Sequence, residues 1–210
     1  MYYKLRDVII QYIRSHFGYY LLAISFFFVG IIIGAVVVKA LPDFQVQELR
    51  DYLNYYFVDF NTASLSQELI LRDSITNNLR YIFMIWLLGA TIIGFPFILI
   101  LLFLRGFILG FTVGFLVDQI AFKGVLFAVV SILPHNIIII PGILIAGVTG
   151  LCYSLNIIKL RIRRKRYNLS QLFFNYSTVI LITGIVIMAG GLIEAYITPV
   201  FMRFIIPIIK

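Results

Sequence analysis

Residues 105–119 read RGFILGFTVGFLVDQ, in which Gly106, Gly110 and Gly114 recur at intervals of four and are each followed by a phenylalanine, Phe107, Phe111 or Phe115. That interval stacks the three glycines on one face of a helix. A row without side chains forms a groove in which a second helix can approach to backbone contact, the packing mode of helices in lipid. The remainder of the chain points to the same solvent. Of its 210 residues, 62% are hydrophobic and only 12% charged, and the mean hydropathy is +1.04. Soluble domains are far more polar than this. The sequence therefore describes an all-α, polytopic integral membrane helical bundle. Each crossing needs about 20 apolar residues, which leaves room for about five spans in a single transmembrane domain over 1–210.

The formal net charge of +8 is unevenly distributed. Lys159, Arg161, Arg163, Arg164, Lys165 and Arg166 crowd a short stretch between two apolar segments, whereas 41–80 carries more acid than base. Basic clusters stay in the cytoplasm during insertion, so the 159–168 loop is expected there. The charge is a topology signal and not a nucleic-acid footprint; membrane lipid is the partner it implies, anionic lipid included.

Walking outward from that loop gives the expected organisation. Residues 1–18 have apolar positions near helical spacing beside Lys4, Arg6 and Arg14, which suits an amphipathic interfacial helix on the cytoplasmic side. The first span is 19–38, retained as an anchor because it is too long for a signal peptide. Residues 41–80 form an extracytoplasmic amphipathic segment whose apolar stripe includes Leu49, Leu53, Tyr56 and Phe60, a face for the outer leaflet or for a partner. Ser64 and Gln67 have the spacing of a capping box that opens the next helix. Spans at 81–104 and 106–122 follow, separated by a cytoplasmic turn at Arg105, with Pro96 kinking the first of them. Glycine spacing recurs at Gly30 and Gly34 in the first span and at Gly142, Ala146 and Gly150 in the fourth.

The stretch 124–158 is too long for one straight span, since 35 residues would measure about 50 Å against a core of about 30 Å. A break at Pro134 is expected. It leaves 124–133 as a short re-entrant or interfacial helix and 136–158 as a span, with His135 and Asn136 starting the latter and satisfying free backbone amides. The last span is 172–198. Glu194 and Asp118 then lie near the outer ends of their segments, at positions where acids are paired, placed at the interface, or facing a wet cavity.

Enzyme signatures are missing: the sequence holds no HExxH, GxSxG, GxxxxGK[ST] or CxxC,. Cys152 is the single cysteine, so no internal disulfide can form. His16 and His135 fall on opposite sides of the expected membrane and cannot share a metal. No catalytic, metal or cofactor site is expected.

The run WLLGATIIGFPFILILLFLRGFILGFTVGFLVDQ, the proline-flanked LPHNIIIIPGILIAG and the closing LIEAYITP resemble the stage II sporulation protein M family over nearly the whole chain. The resemblance implies a multi-pass protein in the cell membrane of endospore-forming bacteria, at the mother-cell septal membrane during engulfment. It implies a complex with stage II sporulation proteins D and P, peptidoglycan-degrading enzymes with single membrane anchors, which the family member recruits without itself being a hydrolase. Broader relatives carry His-Gly-x-x-Glu where this chain has His135, Asn136 and Ile139; the bend residues stay and the charge is lost. The expected function is thus a noncatalytic scaffold whose glycine faces and 41–80 segment contact partners or a second copy. The alternative is a channel-like or permease-like protein with a polar path through Asp118, His135 and Glu194.

The expected topology has a direct test. Single engineered cysteines should react with an impermeant reagent at Ser64 and near Lys210 and stay unlabelled at Asn168. Labelling of Asn168 from outside would invert the arrangement.

Overall fold

The computed structural model describes residues 14–61, 67–163 and 168–209, so most of the 1–18 segment, Ser64 and Lys210 lie outside the described residues. Among these residues the structure is helical throughout, with no strand. Helix α1 (Phe17–Val37) ends in a 3₁₀ turn (Val38–Ala40) and is followed by α2 (Asp43–Asn61), α3 (Gln67–Gly89), a long folded helix α4 (Gly94–Arg163), α5 (Leu169–Tyr196) and α6 (Thr198–Ile209).

Three stretches are long and apolar enough to cross a membrane, Phe17–Ala40, Gly94–Leu160 and Leu169–Phe204. The second is not straight. Ile120 and Ala121 leave helical geometry, and Ala121 takes a φ of 47° and a ψ of −129°, which reverses the chain and folds α4 into two antiparallel arms, 94–119 and 122–163. At the reversal the arms meet so closely that a Cβ on Gly124 would collide with the Leu116 carbonyl. Helix α3 is not one of the three, because Arg72, Asp73 and Arg80 fall in every 18-residue stretch of it. It nevertheless runs beside α5 over most of that helix: Gly191 faces Ser74, Gly184 faces Ile82, and Gly89 faces Tyr176.

The glycine rows meet each other. A Cβ on Gly30 would strike the Phe103 carbonyl, on Gly34 that of Phe107, on Gly106 that of Phe27 and on Gly110 that of Ile31, while one on Gly114 would come within 2.9 Å of Ala35 Cα. Residue numbers rise together on both sides, so α1 and the first arm of α4 are parallel and touch backbone to backbone. The phenylalanines beside the row stack along the seam, Phe103 on Phe107 at 6.3 Å and Phe107 on Phe111 at 6.2 Å between ring centroids. Gly142 faces Ile187 of α5, and Gly150 faces Ile98 across the α4 hairpin. The core between the arms, α3 and α5 is aliphatic, with Ile85, Ile98, Leu102, Ile139, Ile143, Leu151 and Ile187 fully buried. Large apolar side chains such as Phe28, Ile32, Ile108 and Leu181 face outward, which is the distribution expected of a surface solvated by lipid.

Two expected breaks move. The turn expected at Arg105 lies at 90–93 instead: Thr91 Oγ1 donates to the Leu88 carbonyl (2.7 Å), and Ser154 Oγ donates to the Thr91 carbonyl (2.9 Å). Pro96 therefore stands in the first turn of α4, where its missing N–H leaves no bond unmade, so it starts a helix and does not kink one. Arg105 is in mid-helix. Pro134 does not break the second arm, which is continuous from 122 to 163; 124–133 is neither re-entrant nor separate. Side chains bond carbonyls on either side of that proline, Ser131 Oγ donating to Phe127 (2.7 Å) and Asn136 Nδ2 to Ile132 (2.8 Å).

A side chain in the seam should separate α1 from the bundle. Gly110→Leu should still insert, because the substituent is apolar, but should lower the thermal midpoint of the detergent-solubilised protein by several degrees, an overpacking cost of at least about 1–3 kcal/mol. Ile108→Leu, on the outward face, should melt as wild type.

Candidate polar site within the bundle

At the end of the bundle that carries α2, helices α3, α4 and α5 enclose polar side chains. Ser74 and Asn78 lie one turn apart on α3 and are buried, at 7% and 4% exposure. The Ser74 hydroxyl donates to Glu194 Oε2 of α5 at 2.6 Å, and Asn78 Nδ2 approaches Ser74 Oγ at 3.4 Å. One turn further along α3, Tyr81 donates its hydroxyl to the Leu101 carbonyl (2.6 Å) and places its ring 5.7 Å from the Arg105 guanidinium carbon. This cation–π contact fixes the side-chain stem of a charge that lies within the helix bundle. Arg105 and His135 are both within electrostatic range of Glu194.

The group surrounds a cavity of about 350 Å³ whose lining includes Ser74, Asn78, Arg105, Ser131, His135 and Glu194. Asp73 and Asn77, both exposed, stand at its rim on α3. Two of its lining residues carry buried donors without a hydrogen-bond partner, Arg105 Nε and His135 Nδ1. The tautomer follows from geometry: the Asn136 amide nitrogen, a donor only, lies 3.0 Å from His135 Nε2, so Nε2 accepts and the neutral ring carries its proton on Nδ1. Asn136 Oδ1 is likewise buried without a partner. Among the described residues no three His, Cys, Asp or Glu side chains group closely enough to hold a metal ion.

The residues singled out in the sequence separate here. His135 and Glu194 come together. His135 does not start a helix, as Pro134 leaves the arm unbroken, and it serves as a wall of the cavity. Asp118 is elsewhere: it accepts from Gln119 Nε2 (2.9 Å), and Gln119 Oε1 accepts from Arg50 Nε of α2 (2.7 Å), so it belongs to the fastening of α2 at the hairpin turn. A polar path through Asp118, His135 and Glu194 is therefore not formed. Leu53 packs toward Leu116, Phe127, Ala128 and Met202, while the side chains of Tyr56 and Phe60 lie outside the described residues. Arg105, Ser74 and Asn78 were not expected in a site. Their signals were a charge inside a long apolar run and polar residues at helical spacing in 74–81.

The stage II sporulation protein M family model matches residues 23–199. The chain belongs to that family. The match spans the seam, the α4 hairpin and every residue of the polar cavity through Glu194. No curated protein and no solved structure matches the chain. Membership makes this a membrane protein of sporulation.

Removing the hydroxyl that serves Glu194 should be costly. Ser74→Ala leaves a part-buried carboxylate without its hydrogen-bond donor, worth about 1–3 kcal/mol, so the variant should melt several degrees lower in detergent. Asn77→Ala, on the exposed rim, should not.

Proposed function

We propose that the protein is a noncatalytic scaffold of the mother-cell septal membrane, which gathers the peptidoglycan-degrading stage II sporulation proteins D and P during engulfment. Helix α2 is the recruiting element. In this reading the basic 159–168 loop is cytoplasmic, α3 crosses with the two arms of α4, α1 and α5, and α2 lies outside, on the side where cell-wall hydrolases work.

The observation that carries the proposal is the free face of α2. The helix is tied to the bundle through Arg50 on Gln119 (2.7 Å) and through Leu53, which leaves Phe44, Tyr52 and Tyr55 exposed at 62%, 71% and 66%. Tyrosines displayed on one side of a helix are favoured anchors of protein interfaces. The glycine rows do not serve this purpose, since the seam is filled by the chain's own α1. Recruitment therefore runs through α2 and not through the 106–114 face, and the contact stripe shifts from Leu49 and Leu53 to Phe44, Tyr52 and Tyr55.

The double variant Tyr52→Ser, Tyr55→Ser should reach the membrane at wild-type abundance, because neither side chain is buried. Co-purification of D and P should fall by roughly 30-fold or more if the two tyrosines together are worth at least about 2 kcal/mol, and engulfment should stall. Undiminished capture of both enzymes would remove α2 as the recruiting surface.

A further inference from the structure

We propose that the cavity between α3, α4 and α5 binds a small solute or headgroup carrying one oxyanion, a carboxylate or a phosphate, gripped by the guanidinium of Arg105. This site is independent of the scaffold function and would stand if α2 recruited nothing.

Depth gives the first reason. Arg105 adjoins Gly106, which packs on Phe27, and Phe27 is the middle residue of α1 (Phe17–Val37). The charge therefore sits near the centre of the bundle along the membrane normal. An arginine there costs at least about 2.5–3.5 kcal/mol, a burden that a structural role could avoid with a leucine. The second reason is that part of its donor capacity is unused. Tyr81 meets it with a ring face, and Arg105 Nε is buried with no hydrogen-bond partner. A guanidinium is a planar fork of donors that matches carboxylate and phosphate. His135, whose Nδ1 donor is also without a partner, and the Asn78 amide line the same space.

Size and shape supply the third. A volume of about 350 Å³ would hold roughly ten waters at about 30 Å³ each, or a solute with a similar number of heavy atoms. The cavity is blind. One turn past His135 the second arm and α5 close on Ile139, and Ile143 and Ile187 continue the seal; all three are essentially fully buried. The arrangement is that of a binding site and not of an open pore. Glu194 gives it a preference: a carboxylate lining the same cavity, within electrostatic range of the guanidinium, opposes a second negative charge, so a monoanion, or an anion carrying its own hydrogen-bond donors, fits better than a dianion.

The test uses the purified full chain in phosphatidylcholine nanodiscs. Its melting temperature is followed during titration with sodium acetate or sodium phosphate against sodium chloride at constant ionic strength. A second series without added solute raises the fraction of phosphatidylglycerol, which separates a lipid headgroup from a soluble anion as the source of the oxyanion. A saturable rise of several degrees is expected in at least one series. Arg105→Lys should weaken it tenfold or more, because the ammonium keeps the charge and loses the fork. Glu194→Gln should shift it the opposite way, tightening binding roughly tenfold by removing the repelling charge. If Arg105→Lys fails to fold, the Glu194→Gln result decides alone. Absence of a saturable rise in every series, a rise undiminished in Arg105→Lys, or no tightening in Glu194→Gln would overturn the proposal.

Discussion

Backbone contact between α1 and the first arm of α4 is the constraint from which the rest of the architecture follows. Lipid tails are as apolar as leucine, so nothing pushes two helices together in a bilayer except the quality of their packing. Here that packing requires Gly30 and Gly34 on one side and Gly106, Gly110 and Gly114 on the other, in register over three turns. A turn at Arg105 would sever the row from Phe103, whose carbonyl lies under Gly30. The arm therefore runs straight, and Arg105 is carried into the bundle as a consequence. Its side chain leaves the seam and passes to the opposite side of the arm, where Tyr81 and the cavity receive it.

The two ends of the bundle treat their polar groups differently. At the basic end polar side chains of the core tie helices together: Tyr176 donates to the Ile85 and Trp86 carbonyls, Trp86 Nε1 donates to Ser177 Oγ at 3.0 Å, and Ser154 holds the 90–93 turn. Tyr153 stacks on Tyr176 at 4.4 Å, and Gly89 leaves room for the Tyr176 hydroxyl. This end is a satisfied lock, in which hydrogen bonds and aromatic area both serve stability. At the other end buried donors remain open around a cavity. Structures tolerate such groups where something else binds them or where water does. The division puts rigidity beside the basic loop and chemistry beside α2.

Helix α2 stands apart from both. Its fastening uses the α4 hairpin turn, where Ala121 holds a positive φ and Asp118, Gln119 and Arg50 form a polar chain. A helix held at a turn, with aromatic residues outward, can meet a partner without disturbing the membrane packing beneath it. Family membership supplies the setting in sporulation, and the free face supplies a surface on which assembly can occur.

The solvent, the helical class and the glycine periodicity were legible in the sequence, because each is set by local composition and spacing: apolar runs fix the medium, and intervals of four fix a helix face. The reversal at Ile120 and Ala121 was not, and the break expected at Pro134 is absent. Which helix fills a glycine groove is not local, and it took the fold to pair Gly110 with Ile31 and so to close that face to other proteins. The effect of the prolines is not local either. Pro96 is harmless in a first turn and Pro134 lies inside an arm that stays continuous, and neither circumstance is written in the residue itself. In sequence Arg105 reads as a loop residue, because a charge in an apolar run ordinarily marks a boundary. Only the tertiary structure, by holding the first arm straight against α1 and bringing Tyr81, His135 and Glu194 from three other segments around it, turned that charge into the centre of a site.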